Sequence, residues 1–265
     1  GIRDVAVTGV QTCALPIFTS NKLANNFFVG MPAYTNSDGS TGTIRTFSRS
    51  ENTVTQTSRF DPRANTVGSY GASMSASDYR VAVGAPTSNS NQGYVYVYDL
   101  TTSTVQIIRS NVSPSSGDYF GNAVAISGDN DWLYVGIPGK NSTYVYHYES
   151  NVTSKSNTIT YVTDTVANTY TLNYTPYGNV AVEISDTYRN YVLDIDFSVS
   201  GNVVTFIRPP SDPYTKVSIV QRPFYKNTGK IIIPADVSAG DRFGEIVQTS
   251  DYGEELFIEI GRAHV

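Results

Sequence analysis

Three stretches of this chain repeat one another: SYGASMSASDYRVAVGAP from Ser69, YFGNAVAISGDNDWLYVGIP from Tyr119 and RFGEIVQTSDYGEELFI from Arg242. Each opens with an aromatic residue followed by glycine, at Tyr70-Gly71, Phe120-Gly121 and Phe243-Gly244, and each places a serine six residues later, at Ser77, Ser127 and Ser250. In the first two an apolar run then ends in Val-Gly-x-Pro, at Gly84 and Pro86 and at Gly136 and Pro138. FFVGMP at 27–32 is the second half of a further copy. Gly71 and Gly121 lie 50 residues apart, whereas Gly121 and Gly244 lie 123 apart. A period of this length is the mark of a chain built from one supersecondary unit used several times, with extra sequence inserted into the third copy.

Within one repeat, turn residues delimit four short strands near Ala72–Ser77, Arg80–Gly84, Gly93–Tyr98 and Val105–Arg109. Alternation in Val81-Ala82-Val83 and Tyr94-Val95-Tyr96-Val97-Tyr98 sends side chains to both faces of a sheet, as a sheet packed between two neighbours requires. Glycine two residues before proline permits a closing turn, and proline then stops the ladder. Asp118 and Asp241, each three residues before the repeat glycine, are placed to bond their own backbone. With 20 Tyr and frequent Val, Thr and Ile, the expected fold is all-β, a partial β-propeller of four-stranded antiparallel blades with an inserted small β domain.

The aromatic-Gly and Val-Gly-Ala-Pro pattern resembles the FG-GAP repeat of the integrin α-subunit propeller, most closely at FGNAVAIS, VAVGAP and GDRFG. The likeness covers 18–150 and 229–258, and it implies that the loops after Val-Gly-x-Pro share one face of the propeller. Those loops are Ala33–Gly42, Thr87–Gly93 and Gly139–Thr143, so the candidate contact residues are Tyr34, Asn36, Asp38, Asn89, Asn91, Lys140 and Asn141. The resemblance also raises calcium, held in that family by a D-x-D-x-D-G loop between the first two strands, because a hard cation needs several oxygens on a short turn. Here only Asp129 and Asp131 keep the alternate spacing, without a third carboxylate or a following glycine, and neither a metal nor another cofactor is expected.

Residues 151–228 break the period but stay strand-like. TITYV, TYTLNYT, NVAVEIS, YVLDIDFSVS, NVVTFI and KVSIVQ alternate between turn signals, which predicts a small all-β module of about six strands. It stands where the first full repeat has its T-T-S-T turn between strands three and four, a hairpin tip whose ends already lie together. Residues 229–259 then supply strand four and the start of a further blade. The order of these strands resembles a small module of bacteriophage tail fibres, which implies a virion or cell-surface setting.

The ends read differently. GIRDVAVTGVQTCALPI, residues 1–17, shows neither strand alternation nor a helical stripe, and it is no secretory leader. Back-translated, it resembles a short-read sequencing adapter with its index, and Ile260–Val265 resembles the same adapter on the opposite strand. Residues 1–17 and 260–265 are therefore expected to be adapter-derived and outside the fold. On that reading the rest is a fragment whose ring cannot close and whose end blades expose their faces.

Without the ends, and with Glu259 at the junction also set aside, the chain has no cysteine, one histidine, and 16 basic against 21 acidic residues. This excludes disulfide frameworks and thiol chemistry and argues against nucleic acid as a partner. No apolar run reaches the ~18 residues of a membrane helix, so no membrane insertion is expected. His147 lies in the Tyr-rich strand YVYHYE and reads as a packing residue. There is no G-x-S-x-G elbow and no second histidine for a triad. Glu183, Asp194 and Asp196 are conceivable as paired carboxylates for glycoside cleavage, but read more simply as the solvated face of a strand. Asn111, Asn141, Asn151 and Asn173 begin N-x-S/T triplets that chance explains in a chain so rich in these residues. Most tyrosines should pack between blades, and some should stand on recognition surfaces. The expectation is a non-enzymatic extracellular or virion protein that binds protein or surface glycan and other virion or surface proteins. The alternative is the accessory region of a secreted hydrolase.

Overall fold

A computed structural model describes residues 17–20, 26–37, 39–62, 67–110, 113–160, 168–178, 181–186, 190–210, 214–238 and 240–260. The chain is all-β. The first sheet runs in order through β1 (Ile17–Ser20), β2 (Asn26–Gly30), β3 (Ile44–Ser50) and β4 (Thr53–Phe60). The second repeats the plan with β5 (Ser73–Ala76), β6 (Arg80–Ala85), β7 (Tyr94–Asp99) and β8 (Thr104–Arg109). The third begins with β9 (Ala123–Ile126), β10 (Trp132–Ile137) and β11 (Ser142–Glu149). All pairings in these sheets are antiparallel.

Between strands three and four of the third sheet stands the inserted module. One of its sheets is formed by β12 (Lys155–Thr160), β14 (Val182–Ser185), β15 (Asn190–Tyr191) and β18 (Lys216–Gln221); the other by β13 (Thr169–Thr171), β16 (Phe197–Ser200) and β17 (Val203–Phe206). Leu172, Ile184, Phe197, Val204, Phe206, Val217 and Ile219 fill the space between them. The chain returns as β19 (Phe224–Ile232), which pairs with β11 from Glu149↔Phe224 to Thr143↔Ile232 and completes the third sheet. β20 (Phe243–Thr249) and β21 (Leu256–Ile260) form a two-stranded sheet beyond it.

The first strands of successive sheets, β1, β5, β9 and β20, lie side by side. The repeat residues explain why. Gly71, Gly121 and Gly244 adopt φ of 87°, 83° and 90°, the left-handed region that glycine enters without penalty. Each lies against the Val-Gly-x-Pro glycine of the preceding sheet, Gly30, Gly84 and Gly136 respectively, so closely that a Cβ on that glycine would meet the facing carbonyl. The aromatic neighbours Tyr70, Phe120 and Phe243 are buried beneath this joint. The serines close the hairpin of strands one and two. Ser127 N–H donates to Trp132 O at 2.9 Å while its Oγ accepts from Trp132 N at 2.9 Å, and Ser250 does the same with Glu255 at 3.0 and 3.1 Å. Asp118 and Asp241 accept from the backbone N–H of Ser115 and Ser238 at 2.7 and 2.5 Å, the local bonds expected of them.

Three expectations need correction. YVLDIDFSVS is not one strand, because it breaks at Asp194, whose φ is 60°, and its two halves join different sheets. Asp196 is buried and accepts from Val192 N–H at 2.8 Å, and Glu183 is largely buried; Asp194 is open to water but stands at the break, so the three do not share a solvated strand face. Ile17 and Ile260, assigned to the adapter-like ends, pair with Gly30 and Phe243. The remaining terminal residues, Cys13 and His264 included, lie outside the described residues.

Candidate functional site

Of the loop residues singled out from sequence, Tyr34 and Asn36 converge. Arg59 at the end of β4 sets its guanidinium 4.7 Å over the Tyr34 ring and donates from Nη2 to Asn36 Oδ1 at 2.7 Å. Arg59 Nε also donates to Asp61 Oδ1 at 2.7 Å, and Thr43 Oγ1 donates to the same oxygen at 2.7 Å. The bond to Asp61, set against partial desolvation, raises the Arg59 pKa further. The result is a partly exposed cluster of aromatic, amide, cation and carboxylate.

The other loop residues brace their own turns or reach the following repeat. Asn89 and Asn91 turn the chain in the left-handed region at φ of 48° and 64°. Asn89 Nδ2 donates to Gln92 Oε1 at 2.7 Å, and Asn91 O accepts from Gly117 N and Tyr119 N at 3.2 and 3.0 Å. Lys140 Nζ reaches Asp118 Oδ2 at 2.9 Å and Ser113 O at 2.8 Å. Asn141 Nδ2 donates to Ser238 O at 2.7 Å while its Oδ1 accepts from Phe243 N at 3.2 Å. Asp38 and Asn111 lie outside the described residues.

Asp129 Oδ1 accepts from Ser127 Oγ at 2.5 Å and from Asp131 N at 3.1 Å, which folds its own hairpin. Among the described residues no three His, Cys, Asp or Glu side chains gather as a metal site, and no helix is long and apolar enough to cross a membrane. His147 lies edge-on to Trp132, ring centroids 4.8 Å apart.

A second region emerges where the inserted module meets the outer strands of sheets two and three. Gln106 on β8 uses both ends of its amide on Tyr225 of β19, Nε2 to O and Oε1 from N, each at 2.8 Å. Arg109 Nη2 pairs with Asp194 Oδ2 at 2.6 Å, and Val192 joins the core beneath sheet two. On either side of this seam open clefts of about 490 and 510 Å³. Asp194 lines the first, Arg80 and Tyr148 the second, and Glu183, Arg222 and Tyr225 border both.

Glu183 is the unusual group there. Its side chain, 16% exposed, has Arg222 Nε at 3.2 Å from Oε2. Burial pushes the carboxyl up to about 8; Arg222 counteracts and Asp99 adds to the rise. Asp99 goes the other way. Burial works to raise it, but hydrogen bonds from Thr101 Oγ1 and from the Thr101 and Thr102 amides, with Arg80, bring it below the usual range. Arg80 places its guanidinium 3.6 Å over the Tyr148 ring and 5.9 Å from that of Tyr225.

Sequence reasoning placed Glu183 and Asp194 in one module but did not bring Arg59, Arg80, Gln106, Arg109 or Arg222 to any site. Each is an isolated polar residue in or beside a strand, and only tertiary packing gives it a partner.

No protein-family profile matches the chain, and no curated protein does. Among solved structures the chain is similar to a functionally unknown protein from Desulfotomaculum acetoxidans DSM 771, at 11% identity and a TM-score of 0.39. The match covers 96% of this chain and 64% of that one.

Proposed function

We propose that this chain is a non-enzymatic binding or structural protein, a section of β-propeller with FG-GAP-like blades that serves attachment on a virion or cell surface. The observation that carries the reading is the recurring joint in which the aromatic-Gly turn of one sheet closes on the Val-Gly-x-Pro glycine of the sheet before it, at Gly30/Gly71, Gly84/Gly121 and Gly136/Gly244. A joint of this kind stacks sheets in a fan and brings their loops to one rim. On that rim the Tyr34, Asn36, Arg59 and Asp61 cluster offers an aromatic face beside hydrogen-bonding groups, suited to protein or surface glycan. The test is binding of the labelled full chain to a glycan array and to intact bacterial cells. Tyr34→Ala and Arg59→Ala should each weaken capture about tenfold, as loss of ~1.4 kcal/mol would; retention of full binding by both excludes this rim.

A second reading, a hydrolase or its accessory region, is favoured by Glu183 and Asp194 lining one cleft. Glu183, protonated at neutral pH, has the state of a general acid. Against it, Asp194 is already paired with Arg109 and Glu183 with Arg222. Release of reducing sugar from bacterial polysaccharide by the full chain, abolished in Glu183→Gln, would replace the first reading by this one.

A further inference from the structure

We infer that the outward face of β20 and β21 is a docking surface for one more four-stranded sheet of the same repeat, opened by an aromatic-Gly turn, and that Glu259 obstructs that docking. The inference rests on the sheet stacking that also supports the propeller reading, and not on what the rim binds.

The repeats allow position-by-position comparison. Ala123↔Gly136 in the third sheet and Ser73↔Gly84 in the second correspond to Ile246↔Glu259 in the last. In the third sheet this face is covered by the next one, where Ala123, Ala125 and Tyr134 pack on Val247, Leu256 and Ile258. Ala123 and Tyr134 are each 6% exposed as a result, while their counterparts Ile246 and Phe257 are 45% and 65% exposed. Two large apolar side chains thus stand in solvent at the positions that the preceding sheet buries.

The surface continues an interface formed three times over in the same chain, and that continuity specifies the occupant: a further sheet of this repeat. One residue departs from the pattern. At the three joints the facing position is glycine, and even a methyl group there would collide with the carbonyl of the incoming turn. Glu259 sets a longer side chain at that point, and its negative charge faces the carbonyl dipole that would arrive. Both terms oppose closure of the joint, while burial of Ile246 and Phe257 favours it.

The experiment appends a second copy of residues 67–110 to the C-terminus of the full chain through a Gly-Ser linker, which holds the new sheet at millimolar effective concentration. Hydrogen exchange is then read in Phe243–Thr249 and in 256–259. With Glu259→Gly, exchange of these strands should slow about tenfold or more on extension; with Glu259 retained it should change less than about threefold. Equal protection in both backgrounds, or none with Glu259→Gly, overturns the inference. A dimer of unextended Glu259→Gly by sedimentation would hand the surface to a second copy and overturn the stated occupant. If the extended chains do not fold, the unextended chain carries the test: Ile246→Ser with Phe257→Ser should remove about half or more of the binding of a hydrophobic dye. Unchanged dye binding refutes the exposed face.

Discussion

Gln106 holds Tyr225 by both backbone groups, the side-chain amide of one outer strand standing in for a strand partner of the next. Tyr225 is buried, so water cannot replace these bonds. Gln106→Ala should therefore leave a buried N–H and C=O unsatisfied and cost about 1–3 kcal/mol in urea unfolding. Gln106→Glu keeps the acceptor but loses the donor, and should fall between the two proteins.

At Gly84 the expected cost comes from volume. Gly84→Ala would drive a methyl group into Gly121 O and Ser73 Oγ, neither of which is free to move far. Overpacking of this kind costs about 1–3 kcal/mol. A stability at or above that of the parent, read by the same denaturation, would mean the joint is looser than described.

Asn141 takes the place of Gly42 and Gly93 in the other repeats, and combines their left-handed turn, φ 48°, with two side-chain bonds to the following sheet. Asn141→Gly keeps the turn and loses the bonds; Asn141→Ala loses both. The order of stability should be parent, glycine, alanine, with steps of about 1 kcal/mol each.

Glu183 makes stability fall as pH rises. Its folded pKa of about 8 stands above the ordinary ~4.3 of the unfolded chain, so the folded state binds the extra proton between these values. The contribution is complete below ~4.3 and lost as pH climbs through about 8, at no more than ~1.4 kcal/mol per pH unit. Glu183→Gln should flatten that slope and be the more stable protein at pH 9. Parallel curves for the two proteins from pH 5 to 9 would contradict the assignment.

Arg109 and Asp194 form a short but partly exposed pair, with 22% and 48% of their side chains open to water. A double-mutant cycle to alanine should give a coupling under about 1 kcal/mol. The module's attachment to sheet two then depends on Val192 burial rather than on this ion pair.

The four-stranded sheets were legible in the sequence because their turns are made locally. A serine that closes a hairpin or an aspartate that bonds three residues back performs its task within its own repeat, so the same letter recurs at the same offset. The Glu183 clefts were not legible, since Gln106 and Tyr225 are 119 positions apart and carry no shared pattern. The D-I-D segment misled for a specific reason: alternation continued through Asp194, but aspartate tolerates the left-handed region and the chain turned there. The loops were legible as loops, though Asn91 and Asn141 are engaged with the following repeat and Asn89 with its own turn.

The inserted module leaves and re-enters the third sheet at Glu149 and Phe224, which are direct register partners. Any force applied to the module therefore reaches the sheet at one point and acts across the β11/β19 ladder rather than along it. Hydrogen bonds loaded in that direction give way one after another, as a zipper opens, instead of resisting together. Tension on the module would detach the outermost strand first, with the Gln106 amide on Tyr225, one residue from the point of entry, as the first clasp to be loaded, and leave the other sheets standing.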